Sequence, residues 1–156
     1  MPNRPPEMIT GDRKPVLEFD PGERFFYRVD PQHIQADGTI YPPNIHCPDL
    51  SSNRSKFSED WHVLFPLEEY SDYAVFAFTL AALPATVQVD QPGATIYEVH
   101  TVHSPEVDNY AHCETRLYRN SERMRGDLIN KTAKKQFRNK MSIALKMIRE
   151  PHNPPE

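Results

Sequence analysis

The sequence predicts an α+β fold, in which a mostly antiparallel, twisted sheet is covered by a long C-terminal amphipathic helix. Two observations support this prediction. Short runs rich in aromatic and β-branched residues recur between turn and proline signals along residues 24–118, a pattern typical of strands. One segment near the C-terminus instead repeats its apolar residues every three or four positions, a pattern typical of a helix.

The first half of the chain supplies one clear strand and several weaker elements. Residues 24–29 form an aromatic and β-branched run that predicts a strand. The turn signal Asp37-Gly38 is followed by a short extended stretch at 39–41, which two prolines then end. Residues 49–58 are polar and are interpreted as a loop. Ser58, with two acidic residues after it, favours a short helix at 61–65.

The second half is predicted to complete the sheet. Residues 73–80 are apolar on both faces, and their aromatic and β-branched content favours a buried strand over a buried helix. Residues 86–89 and 95–102 are predicted as strands on either side of a turn at 91–93. A last strand is predicted at 111–118.

The C-terminal helix is predicted from an apolar stripe at helical spacing. Asp127 or Asn130 is expected to cap its start, and Pro151 ends it. The stripe is wide enough to favour docking on the sheet over a solvated arm. It consists of Ile129, Ala133, Phe137, Met141, Ala144, Leu145 and Ile148.

Composition sets the domain organisation. The chain has 156 residues, which is room for one domain, and it contains 16 prolines but only 5 glycines. Because half of the prolines lie near the two ends, residues 1–22 are expected to be a Pro-rich N-terminal tail and 151–156 a C-terminal tail. Residues 23–150 are expected to form a single α+β domain. The same composition excludes coiled coils and collagen-like chains.

The chain is expected to be cytoplasmic and to keep its thiols reduced. No signal-peptide pattern and no run of apolar residues long enough for a membrane span is visible. Its two cysteines, Cys47 and Cys113, are too few for a zinc site of their own, although a bridge between them stays open.

The net charge of −4 hides an uneven distribution. Residues 116–149 contain eleven Lys and Arg against Glu122 and Asp127, so the rest of the chain is strongly acidic. This basic segment, with Lys134, Lys135 and Arg138 on the predicted helix, suits nucleic acid or an acidic protein partner. Attraction between the helix and the acidic body of the same fold is the alternative.

Histidines provide the first candidate site. His100, His103 and His112 lie within 13 residues of one another. Strand alternation places His100 on one face and His103 on the other, whereas His112 shares a face with Glu114. If the two strands are neighbours, His100, His112 and a carboxylate such as Glu114 converge, and such a group can perform acid–base catalysis. Structural histidines are the alternative, and the spacing favours no metal site.

The other candidate residues suit a phosphorylated ligand. Arg28 lies within an aromatic strand, and a partly buried guanidinium requires an anion from the protein or from a ligand. The segment 50–56 offers the hydroxyls of Ser51 and Ser52 and the cation of Arg54, which suit phosphate or ribose. Loop residues between the last two strands are further candidates, since loops on a rigid sheet often carry function. These candidate ligand-binding residues are His103, Asn109 and Tyr110.

Several motifs are absent from the sequence. Residues 50–56 contain no glycine and are therefore no phosphate-binding P-loop. No G-x-S-x-G element exists, and the paired cysteines of zinc deaminases are missing.

Five stretches resemble a family of small, uncharacterised bacterial proteins. They are residues 27–29, 37–40, 49–54, 103–105 and 109–112. The order of Arg28, Ser51 or Ser52, and Glu98 or Glu114 is also similar to that of ADP-ribosyltransferase-type toxin folds with an Arg-Glu-Ser triad. That resemblance implies NAD as cofactor, with Arg28 on a phosphate and a serine on the ribose.

Three functional hypotheses follow. The first is an enzyme that acts on a nucleotide-type ligand such as NAD, with Arg28, Ser51 or Ser52, and His112 or Glu114 lining one cleft. The second is a metal-independent nuclease or RNA-binding toxin that uses the histidine cluster together with the basic helix. The third is a non-catalytic module that binds a protein partner.

Overall fold

The computed structural model describes residues 4–88, 95–153 and 155, and this part of the chain folds as one curled antiparallel sheet with few helices. Its helices are α1 (Leu67–Tyr70) and α2 (Lys131–Ala144). Its strands are β1 (Arg24–Val29), β2 (Leu50–Arg54), β3 (Ala74–Thr79), β4 (Thr86–Gln88), β5 (Ile96–His103), β6 (His112–Arg119), β7 (Glu122–Arg123) and β8 (Lys146–Arg149). The order across the sheet is β4-β5-β6-β2-β1-β3-β8, and β7 pairs with β6.

Most strands predicted from side-chain patterning are confirmed. Residues 24–29 form β1, and β3, β5 and β6 lie within a residue or two of their predicted ranges. The stretch at 39–41 contributes only an isolated bridge between Ile40 and Ile34. The turn predicted at 91–93 lies outside the described residues.

The interpretation of residues 49–58 as a loop is wrong, because residues 50–54 form the central strand β2. This strand pairs with β6 on one side and with β1 on the other. Its polar side chains obscure the strand pattern, yet Leu50 and Arg54 are fully buried. Asn53 is buried too and accepts a hydrogen bond from Asn109 Nδ2 at 2.8 Å.

The C-terminal helix covers less of the sheet than predicted. Asn130 caps α2 by accepting a hydrogen bond from the Thr132 N–H at 2.8 Å, and Phe137 and Met141 are fully buried. The helix ends at Ala144, and the chain then pairs with β3 as strand β8. The predicted helix therefore extends too far along the chain. Residues 146–149 pair with the free backbone edge of β3 instead of continuing the helix. None of the helices in the described ranges is long and apolar enough to cross a membrane.

The sheet carries a core on each face. The larger core lies between the sheet and α2 and includes Phe25, Leu50, Phe137 and Met141. On the opposite face, a smaller core around Phe26 packs against residues 61–73. Strand alternation therefore places the side chains of neighbouring residues of β1 in different cores.

The N-terminal segment, expected to be a tail, packs along the loop between β5 and β6. Met8 is buried, and its carbonyl accepts a hydrogen bond from the Tyr110 N–H at 2.7 Å. Thr10 N–H donates to the Val107 carbonyl at 3.0 Å. At the other end of the chain, His152 N–H donates to the Asp72 carbonyl at 2.8 Å. The proline-rich segment thus joins the domain without adding a strand to the sheet.

A buried ion pair attaches this segment to β2. The side chains of Arg54 and Glu23 are 0% and 2% exposed, and Arg54 Nε lies 2.7 Å from Glu23 Oε1. Arg54 also donates to the carbonyls of Val16 at 2.7 Å and Glu18 at 2.9 Å. Its guanidinium carbon lies 4.5 Å from the centre of the Phe19 ring. The cation is therefore satisfied within the fold.

Removing one partner of this pair is expected to destabilise the protein strongly. In Arg54→Leu the Glu23 carboxylate stays buried without its counter-ion, which costs about 3–5 kcal/mol of unfolding free energy. Urea denaturation measures this loss. The matched control is Lys56→Ala, which breaks an exposed pair with Asp20 and is expected to cost less than about 1 kcal/mol. Equal losses in the two variants would contradict the assigned role of the buried pair.

Candidate functional site

A cleft opens where β1 and β2 part. The two strands pair over two residues, Phe25 with Arg54 and Phe26 with Asn53, whereas β1 and β3 pair over six. Beyond Phe26 a cavity of about 370 Å³ lies against the sheet. It is bounded by the 3₁₀ helix Asp60–Leu64 on one side and the β5–β6 loop on the other. Its lining residues are Arg4, Phe26, Tyr27, Arg28, Ser51, Ser52, Asn53, His62, Val63, Phe65, Glu106, Asp108, Asn109 and His112.

Arg28 supplies a cation to the cleft wall formed by the 3₁₀ helix. Its Nη1 donates to the carbonyls of Val63 at 3.2 Å and Phe65 at 3.3 Å. The guanidinium carbon stacks 3.5 Å from the centre of the Tyr70 ring. Among the described residues no carboxylate lies within ion-pair distance of this guanidinium. Arg28 is thus held rigidly while its charge is left for an anion.

His112 is oriented on the opposite side of the cleft. Its Nδ1 lies 2.8 Å from the Ser104 carbonyl, which can only accept, so Nδ1 carries the proton. Nε2 is then an acceptor, 3.2 Å from Ser51 Oγ and 3.3 Å from Glu106 Oε1. A neutral His112 can therefore take a proton from Ser51 or from a ligand hydroxyl. A protonated His112 pairs with Glu106 instead.

Two asparagines connect this wall to β2. Asn109 Nδ2 donates to Asn53 Oδ1 at 2.8 Å, and Asn53 Nδ2 donates to Ser58 Oγ at 3.3 Å. The chain of bonds fixes the orientation of both amides. Asn109, which lines the cleft, therefore holds a fixed side-chain orientation that ties the loop to β2.

Sequence reasoning missed several residues of the cleft, among them Glu106, His62 and Arg4. His62 is 2% exposed and completes a capping box with Glu59 at the start of the 3₁₀ helix. Arg4 reaches both walls, with its guanidinium 5.4 Å from the centre of the Phe65 ring and 3.4 Å from Asp108 Oδ2. The Glu59-x-x-His62 spacing signals a cap, but no local pattern reveals that this histidine or Arg4 lines the cleft.

His103 and Tyr110, predicted as ligand-binding residues, make hydrogen bonds within the fold. Val16 N–H donates to His103 Nδ1 at 2.9 Å, and His103 Nε2 donates to the Tyr110 carbonyl at 2.6 Å. Tyr110 O–H donates to the Lys14 carbonyl at 2.5 Å. Both residues hold the N-terminal segment against the loop. Arg54 was also predicted to bind a ligand, but its guanidinium donates to Glu23 and to the carbonyls of Val16 and Glu18.

His100 and Glu114, predicted as catalytic, lie outside the cleft lining. His100 pairs with Arg116 in the sheet register, four residues from His112, which separates the two histidines by about 13 Å. Its ring contacts Glu98 at 3.3 Å. Glu114 is bound by Arg116 at 2.6 Å. The expected convergence of His100, His112 and a carboxylate therefore does not occur, although β5 and β6 are neighbours.

The basic helix lies on the face of the sheet opposite to the cleft. Phe137 of α2 joins the larger core, whereas Phe26, which lines the cleft, belongs to the smaller one. Arg138 donates to the Ile45 carbonyl at 2.8 Å, and Lys134 and Lys135 lie on the same helix. These cations are thus remote from His112.

The cysteines take no part in the cleft. Cys47 and Cys113 are buried free thiols. Burial raises the pKa of Cys47 to about 11 and that of Cys113 to about 12, so both stay protonated at neutral pH. Within the described ranges no group of three or more His, Cys, Asp or Glu is arranged to hold a metal ion.

Fold and cleft together define a sheet-dominated α+β protein with a polar cleft that contains an arginine cation. Comparison with protein-family models, curated proteins and solved structures gave no match. The resemblances to a bacterial family and to ADP-ribosyltransferase folds receive no support from these comparisons.

Acid is expected to destabilise the protein through its buried histidines. Burial lowers the pKa of His103 and His62 below the ordinary 6.5. The unfolded chain then binds protons that the folded protein excludes. The unfolding free energy therefore falls as the pH drops below about 6.5, and it levels off below the folded-state pKa.

Chemical denaturation from about pH 7.5 to about pH 5.5 measures this slope. Replacing His103 by Gln removes one of the two groups, so the slope becomes shallower even if the variant is less stable throughout. His100→Gln is the control, because more than half of the His100 side chain is exposed. A wild-type slope in His103→Gln would show that His103 is not excluded from protonation in the folded state.

Proposed function

We propose that the cleft binds a nucleotide-type ligand of the NAD class and that the protein acts on it as a transferase or glycohydrolase. One observation carries the proposal: Arg28 shares the cleft with Ser51, His112 and Asn109. A rigid cation and a set of hydroxyl-binding groups thus face the same small space. A phosphate attached to a sugar requires both, because the phosphate binds a cation and the sugar hydroxyls bind hydrogen-bonding groups.

The charge and size of the cleft support a phosphorylated ligand. Arg28 is fixed by two backbone carbonyls and the Tyr70 ring, so little conformational freedom is lost when it binds an oxyanion. Arg4 lies at the same wall, beside Phe65, where it pairs with Asp108 and leaves Arg28 as the cation available to the ligand. A volume of about 370 Å³ lies within the usual range for small-molecule sites.

His112 and Glu106 supply the chemistry for transfer at the sugar carbon. A bond from a nucleophile to the ribosyl carbon forms as the bond to the departing base breaks. His112 Nε2, 3.2 Å from Ser51 Oγ, accepts the proton that the nucleophile releases. The Glu106 carboxylate, 3.3 Å from that nitrogen, faces the positive charge that develops on the sugar. The carboxylate beside His112 is thus Glu106 and not the expected Glu114.

The two alternative functions receive less support. A nuclease that uses the histidine cluster requires the basic helix and the histidines on one side, but Lys134 and Lys135 belong to α2 on the far side of the sheet. A non-catalytic module does not require titratable groups to converge in a cleft. Here Arg28, His112 and Glu106 do converge.

Removing the Arg28 guanidinium is expected to weaken the binding of NAD and ADP-ribose. A hydrogen bond between charged groups contributes about 1.5–3 kcal/mol, so Arg28→Ala is expected to raise the Kd by at least about tenfold. Isothermal titration calorimetry measures the Kd, and NAD consumption by the wild type and the variant measures turnover. Arg28→Lys, which keeps the charge but loses the planar fork, is expected to fall between the two.

Arg24→Ala is the matched control, because Arg24 lies on the same strand, is exposed, and does not line the cleft. Thermal unfolding of each variant separates lost affinity from lost folding. Wild-type protein that neither binds nor consumes NAD would refute the proposal, as would equal affinities of Arg28→Ala and Arg24→Ala.

A further inference from the structure

An exposed serine lies beside the oriented histidine of the cleft. Ser51 of β2 is exposed, whereas its neighbours Leu50 and Ser52 are buried. Because successive side chains of a strand point to opposite faces, Ser51 shares a face with Asn53, which is the partner of His112 in the sheet register. Ser51 Oγ lies 3.2 Å from His112 Nε2. A molecule in the cleft can therefore reach the Ser51 hydroxyl.

His112 is fixed in the tautomer that a general base requires. Its Nδ1 donates to the Ser104 carbonyl at 2.8 Å. Nε2 is therefore an acceptor, and it receives the O–H of Ser51. A hydroxyl, a base within hydrogen-bond reach and a third group that orients the base form the arrangement that supports nucleophilic catalysis. In this cleft the third group is a backbone carbonyl.

Arg28 lies across the gap from Ser51. Phe26 pairs with Asn53, and the same antiparallel register, continued for two residues, places Arg28 opposite Ser51. The strands have parted at that point, so the space between the two residues is wider than the about 4.8 Å that separates paired strands. Both residues line the cleft. A bound molecule can therefore contact the hydroxyl and the guanidinium at the same time.

Glu106 is placed to stabilise the charge that His112 acquires. Its Oε1 lies 3.3 Å from His112 Nε2, and more than half of its side chain is exposed. When His112 takes the proton of Ser51, the imidazolium forms beside this carboxylate. The anion therefore lowers the free energy of the charged ring during the attack.

We propose that Ser51 is a nucleophile with His112 as its base, and that the cleft hydrolyses small carboxylic esters that carry an anionic group. Ser51 Oγ bonds to the carbonyl carbon while the ester C–O bond breaks. The Ser51 proton passes to His112 Nε2 and then to the departing alcohol. A water molecule, deprotonated by the same nitrogen, attacks the acyl-serine, releases the acid and restores the hydroxyl.

Arg28 sets the class of ester. Its guanidinium binds an oxyanion of the substrate, which holds the ester carbonyl over Ser51 across the gap. This activity is separate from the proposed action on NAD, although both use the same cleft and the same base.

A fluorophosphonate probe tests whether Ser51 is activated. Attack by Oγ forms a bond to phosphorus and expels fluoride, so the modified residue is identified by peptide mass mapping. Wild-type protein is expected to be labelled at Ser51, and Ser51→Ala is expected not to be labelled. His112→Gln is expected to slow labelling at least about hundredfold, because it removes the base. The matched control is Ser55→Ala, which removes a hydroxyl just after β2, outside the cleft lining, and is expected to react as the wild type does.

A second variant separates lost reactivity from lost folding. The Glu106 side chain is exposed, so Glu106→Gln is expected to leave the thermal unfolding temperature unchanged. It removes the anion beside the protonated ring and is expected to slow labelling about two- to fivefold. Thermal unfolding of His112→Gln shows whether its lower rate reflects the base or the fold.

Two acetyl esters test the role of Arg28. The compound 4-acetoxybenzoate carries a carboxylate, whereas its methyl ester is neutral. Wild-type protein is expected to hydrolyse the anionic compound with a kcat/KM at least about tenfold higher. Arg28→Ala is expected to remove this preference, whereas Arg24→Ala, on the same strand but outside the cleft lining, is expected to keep it.

The inference would be overturned by labelling at a residue other than Ser51, by labelling of folded His112→Gln at the wild-type rate, or by hydrolysis of neither ester. Equal kcat/KM for the two esters would overturn the anionic substrate class. Labelling of Ser51 by a protein that neither binds nor consumes NAD would sustain this inference and refute the proposed function. NAD consumption by a protein whose Ser51 is not labelled would do the reverse.

Discussion

The buried pair of Arg54 and Glu23 is the interaction on which the rest of the structure depends. Arg54 ends β2 in the middle of the sheet, and its donors reach Glu23 and the carbonyls of Val16 and Glu18. Glu23 also accepts the Asp20 N–H at 3.0 Å, immediately before β1 begins. One guanidinium therefore ties together the central strand, the entry to its neighbour and the N-terminal segment. Removing only one member of the pair destabilises the fold strongly, because the remaining charge stays buried without a counter-ion.

The cleft is a consequence of how β1 leaves that anchored point. Beside Arg54 the two strands are in register, but they stay paired for only two residues. β1 continues along β3, while β2 continues along β6. The residues on either side of this gap line one cleft, and they include Arg28 of β1 and Ser51 of β2. Separation of two strands thus creates a site without requiring a long loop or a second domain.

Sequence patterning revealed the elements whose burial follows a regular period. β1, β3, β5 and β6 show it, and the face shared by His112 and Glu114 followed from alternation alone. β2 was not predicted because its buried polar side chains are paired with residues distant in the chain. Arg54 is 31 residues from Glu23, and Asn53 is 56 residues from Asn109. The end of α2 was missed for a similar reason, since a free edge of β3 overrides helical spacing.

The candidate site divides in the same way. Arg28, Ser51, Ser52, His112 and Asn109 carry recognisable chemistry, and the structure brings them to one cleft. Arg54 and His103 have equally suggestive chemistry but are consumed by partners within the fold. Local sequence cannot distinguish residues that line the cleft from residues that are paired within the fold. The sequence around an arginine or a histidine does not show whether its partner is a carboxylate of the protein or a ligand. Only the three-dimensional pairing decides between them.

The packing of the N-terminal segment on the β5–β6 loop has a consequence for folding during synthesis. Arg4 lies on the cleft beside Asp108, and the Met8 carbonyl accepts a hydrogen bond from the Tyr110 N–H, so this segment meets partners that are synthesised about a hundred residues later. The ribosome must therefore release most of the domain before its first segment can dock, and contacts of such long sequence separation form slowly. Until then the proline content of this segment keeps it from joining a sheet prematurely. The high proline content thus suits a segment that docks only after its distant partners have been synthesised.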